Sequence, residues 1–237
     1  MTVAPEVFND VELKPVEPED LPAIVEGNWA SLAPFYDPIE PPSRRPAHDT
    51  RVRRSAHRLL KLLRSRHTLC TKAVLASGPE AGKLVGVALW QRPEAPLFNL
   101  KRRVLADETD EDREAWDGVD SDEWEKVWGG WDQVREGIMK GRAHWCTSSA
   151  AVFFALHHIA PLWVLPAYKN RGIGRRFMQQ VIDLCDAHDP PTPIYLEASP
   201  EGQRLYEKLG FVVEGTSAYK EMVRWRSVQK GGGHGAE

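Results

Sequence analysis

The segment Val164-Leu165-Pro166-Ala167-Tyr168-Lys169-Asn170-Arg171-Gly172-Ile173-Gly174-Arg175 constrains this 237-residue chain more than any other stretch. An apolar strand end passes through a proline turn into two glycines one residue apart, and Ile173, Phe177, Val181 and Leu184 or Cys185 then repeat at helical spacing. A strand ends where a helix begins. The start of a helix leaves backbone N–H groups without partners and carries the positive end of the helix dipole. Glycines let a ligand approach that backbone closely, and Lys169, Arg171 and Arg175 add positive charge. The combination suits a pyrophosphate. The dinucleotide fingerprint Gly-x-Gly-x-x-Gly is not met, because Phe177 occupies its third glycine position.

The flanking sequence supplies the other elements. Val11–Val16 reads as a strand, and Glu19-Asp20-Leu21-Pro22 as the acidic, proline-bearing start of a helix whose apolar face is Leu21, Ile24, Val25 and Trp29. The prolines of residues 34–50 predict a loop. Thr50–Arg66 has helical periodicity, and Thr68–Ala76 and Leu84–Trp90 form a hairpin around Ser77–Gly82. Part of Val152–Val164 must be a strand, with His157–Ala160 and Leu162–Val164 as the alternatives on either side of Pro161. A helix follows to about Cys185, then a strand at Ile194–Ala198. Ser199 and Pro200 start a further helix that Gly210 closes. Strands at Phe211–Glu214 and Tyr219–Arg226 and a disordered tail at 231–237 complete one domain over residues 1–230.

Residues 91–145 interrupt this rhythm and read as an insertion. Residues 106–125 hold eleven acidic side chains and one basic one, Arg113, and lack apolar periodicity, which predicts a mobile surface loop that folding does not need. Trp124, Trp128 and Trp131 then repeat at helical spacing as a packing stripe in one or two helices ending near Lys140. Residues 44–67 carry nine Arg or Lys and one acid, Asp49, and read as a solvated helix face partly neutralised by the insertion. Base-stacking aromatics are missing from that basic stretch, which argues against nucleic acid. The formal charge of −3 says little about partners. No apolar run reaches the roughly 18 residues of a membrane span. Cys70, Cys146 and Cys185 are too scattered for a disulfide framework or a metal site, so a reducing compartment, cytoplasmic or nuclear, is expected and no metal.

The downstream half narrows the reading. About thirty residues after the glycines comes Leu196-Glu197-Ala198-Ser199-Pro200-Glu201-Gly202-Gln203-Arg204-Leu205-Tyr206-Glu207-Lys208-Leu209-Gly210-Phe211. Here the chain resembles the GNAT N-acetyltransferase family. Lys169–Gly174 is similar to the family's Gln/Arg-x-x-Gly-x-Gly/Ala motif, with Lys in the first place. Val164, Pro166 and Tyr168 match its Val-x-Pro-x-Tyr lead-in, and Tyr206 with Gly210-Phe211 its later Tyr-bearing helix. The resemblance is strong over 156–226, extends by element order to 11–90, and is absent from 91–145. It implies an α/β fold: a mixed, mostly antiparallel sheet with helices on both faces and a central splay that admits the cofactor.

It also implies chemistry. Acetyl-CoA is the cosubstrate, held by Val164, Leu165, Lys169, Asn170, Arg171, Gly172, Ile173, Gly174 and Arg175. A primary amine, on a small molecule or a protein, attacks the thioester directly. Tyr206 is the candidate acid for the departing thiolate, since a phenol is protonated at neutral pH. A backbone N–H near Val164 meets the oxyanion, and pantetheine pairs with the same strand edge. His157, His158 or Glu197 is the candidate base. The alternative is a GNAT-fold module that binds CoA, or a protein partner, without catalysis; loss of the open cradle would favour it.

Overall fold

The computed structural model describes residues 10–95, 109–147, 162–217 and 219–225. The first half runs β1 (Val11–Pro15), α1 (Leu21–Ile39), α2 (His48–Leu63), β2 (Thr68–Leu75) and β3 (Leu84–Gln91). The insertion supplies α3 (Asp110–Glu114), α4 (Ser121–Trp124), a π-helical turn at Glu125–Gly129 and α5 (Gly130–Met139). The second half is β4 (Trp145–Thr147), β5 (Leu162–Val164), α6 (Ile173–Ala187), β6 (Ile194–Ala198), α7 (Pro200–Lys208), β7 (Val212–Val213) and β8 (Lys220–Arg224). The predicted tail lies outside the described residues.

The strands form one eight-stranded sheet in the order β1-β2-β3-β4-β6-β8-β7, with β5 also on β3. Every pairing is antiparallel except β4 with β6. Strand alternation sends side chains to two covered faces. On one, Phe177, Met178 and Val181 of α6 and Tyr206 of α7 pack with Ala88, Ile194 and Leu196. On the other, α1 and α2 cover Val87, Leu89 and Trp163, and Met139 of α5 covers Cys146, Tyr195 and Val223. This is the mixed, two-faced architecture that the motifs imply.

Two differences from the sequence reading have physical causes. Helix α1 continues through Pro34 to Ile39, where a loop is expected. Leu32 leaves helical geometry (φ −130°, ψ 23°), so α1 is two helices joined at a kink. Pro34 then lies in the first turn of the second helix, where a missing N–H costs nothing. Tyr36 and Ile39 repay the extension by burial in the core.

The second difference is the acidic half of the insertion. From Thr109 onward it is a docked strap. Arg53 grips the Glu114 carboxylate with both terminal nitrogens (3.2 and 2.6 Å). Asp112 takes Lys61 at 2.5 Å and His57 at 2.8 Å, and Arg44 reaches Asp120 at 3.0 Å. Buried Arg58 donates to the Ala115 carbonyl at 2.6 Å and pairs with Glu40. Apolar contacts complete the docking. Trp116 and Trp124 are both buried and meet edge to face at 4.9 Å between ring centroids. The basic face of α2 therefore finds its counterions within the chain, and the strap needs no periodicity because it is irregular backbone held by side chains.

Replacing residues 109–120 by a Gly/Ser linker is expected to lower the melting temperature sharply. Trp116→Ala alone is expected to cost about 3–5 kcal/mol in thermal or denaturant unfolding, as large-to-small core changes do. Burial opposes charge on Asp112, but hydrogen bonds from Lys61, His57 and Thr109 hold its carboxyl well below the usual range. Its stabilisation is therefore complete above the unfolded value of about 3.9 and is lost as pH falls below it. In Asp112→Asn that part of the acid-side slope in stability should disappear.

Candidate active site

The site is built on a strand that is interrupted. Cys146 of β4 pairs with Gln91, and Leu162 of β5 pairs with Ala88, only three positions along the same partner strand. In sequence those two residues are sixteen apart, so thirteen residues are additional to the β3 ladder. Of the two strand alternatives at Pro161, Leu162–Val164 joins the sheet, and His157–Ala160 lies outside the described residues. β4 pairs with β6 through Trp145–Ile194, Cys146–Tyr195 and Thr147–Leu196. Thr147, the partner of Leu196, is the last described residue of β4. Among the described strands β5 holds to β3 alone, and extending the two ladders sets Leu162 level with Ala198 across an opening between β5 and β6. β4, β5 and β6 all run the same way, which places Leu165 and Ala198 at the same end.

The opening has a defined polar edge. Leu165 donates its N–H to Val85 (2.9 Å), so by strand alternation the N–H of Val164 points away from β3 and into the opening. Leu165 itself is engaged in the fold at both backbone groups, since its carbonyl accepts from Tyr168 at 2.8 Å. Trp163 anchors the strand from the other face. Its indole N–H donates to Asn28 of α1 at 2.7 Å, and its ring lies so close to Gly27 that a Cβ there would sit 2.1 Å from it.

Past Leu165 the chain makes a 3₁₀ turn, Pro166–Tyr168, and enters α6 at Gly172. Tyr168 is buried and donates to Glu80 at 2.8 Å, with Lys83 and Arg171 lying over its ring at 5.6 and 5.3 Å. The turn is thereby pinned. Asn170 (φ 62°) and Gly172 (φ 81°) both have left-handed backbone, a conformation these residue types tolerate best. The first intrahelical bond is Arg176 N–H to Gly172 C=O, and no side chain caps the helix. The N–H groups of Ile173, Gly174 and Arg175 therefore belong to the uncapped first turn. A Cβ at Gly172 would meet nothing within 4 Å, and one at Gly174 would make only ordinary contact with Leu205 at 3.5 Å. The cradle is open. Arg175 is exposed in the first turn, whereas Lys169 reaches sideways to Glu201 of α7 at 2.8 Å.

Tyr206 is buried on α7 beside Phe211, with 5.8 Å between ring centroids, and its ring lies over Gly202. Burial pushes its phenol up to about 12, so it stays protonated across the physiological range. Glu197 projects with Tyr195 to the face covered by α5, its carboxylate oxygens buried, directly opposite Glu221 of β8. His157 and His158 lie outside the described residues. Glu80, Glu201 and Asn28 were not singled out from sequence, because their partners stand 88, 32 and 135 residues away. No local pattern signals pairings of that range.

Among the described residues no helix is long and apolar enough to cross a membrane, and no group of three His, Cys, Asp or Glu side chains could hold a metal ion.

Comparison with known proteins agrees with this geometry. Residues 131–230 match the family model described as an acetyltransferase (GNAT) domain. The solved histone acetyltransferase HPA2 and related acetyltransferase from Corynebacterium glutamicum superposes with a TM-score of 0.53 at 18% identity, covering 93% of this chain and 99% of that one. The PaiA N-acetyltransferase from Thermoplasma acidophilum in complex with coenzyme A gives a TM-score of 0.45 at 13% identity, covering 90% and 96%. The spermidine N-acetyltransferase from Vibrio cholerae in complex with CoA and spermine gives 0.47 at 14%, covering 91% and 95%. No curated protein sequence matches the chain significantly. The uncapped glycine cradle lies inside the matched region, and over residues 131–230 the chain is similar to GNAT acetyltransferases.

Proposed function

We propose that the protein transfers acetyl from acetyl-CoA to a primary amine of a small molecule or protein, by direct attack within the opening between β5 and β6. The observation that carries this reading is the cradle: an uncapped helix start whose two glycines leave the backbone open, beside a strand edge with an inward N–H. The pyrophosphate fits the N–H groups of the first turn, with Gly172, Ile173 and Gly174 supplying the backbone and Arg171 and Arg175 the charge. Pantetheine takes the unpaired edge of β5, and the Val164 N–H meets the oxyanion. Leu165 shapes the turn, and Lys169 with Asn170 sets the loop.

The amine nitrogen attacks the thioester carbonyl carbon, the C–S bond breaks, and the amine's proton goes to a general base. Glu197, on the end of β6 beside the opening, is our candidate to receive it, with His157 and His158 as the alternatives. Tyr206 serves the departing sulfur. A phenol near 12 is a weaker acid than a thiol near 8.5, so complete transfer before C–S cleavage is uphill. Its contribution is a hydrogen bond that strengthens as negative charge collects on sulfur, with the proton following.

Gly174→Asp tests the cradle cleanly, because the new side chain has room in the fold but brings negative charge to the pyrophosphate site. We expect a folded protein with CoA binding lost in calorimetry; unchanged affinity would remove the assignment. Tyr206→Phe keeps the ring packing. Its acetyl-CoA affinity should stay within about threefold while kcat falls on the order of 10²-fold. Full turnover there would make Tyr206 a packing residue. A folded protein that binds CoA but acetylates nothing in a screen of amines, polyamines and peptide N-termini would favour the non-catalytic module.

A further inference from the structure

We propose that Asn28, on helix α1, is a positioning residue for the Val164 N–H: it holds the Trp163 indole, and through it the peptide unit whose N–H faces the opening. The inference rests on the reading above of that N–H as the oxyanion donor. The carbonyl of Trp163 and the N–H of Val164 belong to one planar peptide unit, so orienting one end orients the other. Leu165 and Val85 are a hydrogen-bonded pair of the β3–β5 ladder, and by alternation so are Trp163 and Val87. The Trp163 carbonyl therefore points to β3, and the Val164 N–H points away from it. That ladder runs only from Gly86 to Ala88 and along one edge, about which a short strand is free to pivot. Side chains must stop the pivot. Leu162 and Val164 are half-buried, whereas Trp163 is 4% exposed.

Three contacts converge on Trp163, and each depends on a residue that its own element would not select. Gly86 of β3 lies so close to the Trp163 carbonyl that a Cβ there would sit 2.9 Å from the oxygen. A glycine inside a strand marks such a close approach of backbone. Gly27 leaves room for the indole, which comes within 2.1 Å of where its Cβ would be. Asn28 accepts from the indole N–H at 2.7 Å and is itself 1% exposed. An indole N–H only donates, so the amide oxygen of Asn28 is the end that faces it. Gly27 and Asn28 stand side by side within α1, where both are poor helix formers. Satisfying a buried donor does not by itself explain the choice. The indole N–H groups of Trp90 and Trp145 are also buried, with no hydrogen-bond partner among the described residues. The chain supplies a buried acceptor to Trp163, whose own carbonyl begins the peptide unit that carries the Val164 N–H.

The experiment compares two coenzyme A derivatives on nitrogen-15-labelled protein and needs no acceptor amine. One is the ketone in which a methylene replaces the thioester sulfur of acetyl-CoA. The other is S-ethyl-CoA, a chain of the same length without the oxygen. In the wild-type protein we expect the ketone to bind about fivefold more tightly in calorimetry, as one net hydrogen bond allows. It should also move the Val164 amide proton downfield of its position with S-ethyl-CoA. Asn28→Leu replaces the amide by an apolar group of the same branching. It should bring the two affinities to within about twofold of each other and shrink the Val164 shift difference, while the affinity for free CoA stays as it was. A residue that serves stability alone would lower the melting temperature and leave the preference for the ketone intact. That preference, kept at its wild-type value in folded Asn28→Leu, overturns the inference. Should the variant not fold, Gly27→Ala decides in its place, because its Cβ displaces the same indole; a preference it leaves unchanged also overturns the inference. Equal affinities and an unmoved Val164 amide in the wild-type protein would instead overturn the oxyanion assignment on which the inference depends.

Discussion

A strand bonded on one side only is costly inside a sheet, because its outward N–H and C=O groups lose water without gaining partners. Among the described strands β5 pairs with β3 alone, and three sets of contacts hold it. Its inner edge is laddered to β3 from Gly86 to Ala88. Leu162 and Val164 pack into the core beneath α6. Trp163 is locked to α1 through Asn28 and the bare backbone of Gly27. A glycine in mid-helix costs α1 about 1 kcal/mol relative to alanine, yet any side chain there would occupy the indole's place. These contacts hold β5 without a partner on its β6 side among the described strands, and the turn at the end of β5 inherits the same rigidity.

The legible part of this molecule is the part whose chemistry is local. A strand end, a proline turn, two glycines and a period of 3.6 residues identify the cradle, and Ser199-Pro200 and Gly210 mark both ends of α7 without reference to anything distant. The illegible parts depend on long-range partners. Pro34 argues for a loop until Leu32 is seen to kink the helix. The acidic run argues for solvent until Arg53, Arg54, Arg58 and Lys61 are placed opposite it. Arg135 gives no local sign at all. Its spacing fits an ordinary surface helix, and only the strands packed beneath α5 turn it into a buried cation.

The insertion is thus two devices in one segment. Its first half, α3 and α4 with the turn between them, straps onto α1 and α2 and covers that helix pair with Trp116 and Trp124. Its second half, α5, closes the sheet face over β4, β6 and β8. The glycine cradle lies within the residues that the family model matches, whereas α3 and α4 precede them.

Charge distribution follows from the same arrangement. Residues 44–67 would by themselves present nine cations to any polyanion. Arg44, Arg53, Arg54 and Lys61 are instead paired with carboxylates of the strap, and Arg51 and Arg58 with Glu40. Paired charges present a weak field to solvent at physiological ionic strength, where screening sets in within about 8 Å. The uncapped helix start, with exposed Arg175 in its first turn, is then the place where a phosphate gains most, since fixed backbone dipoles there have no internal partner. The strap raises stability and, by pairing the cations of α2, leaves that helix little field with which to attract an anion.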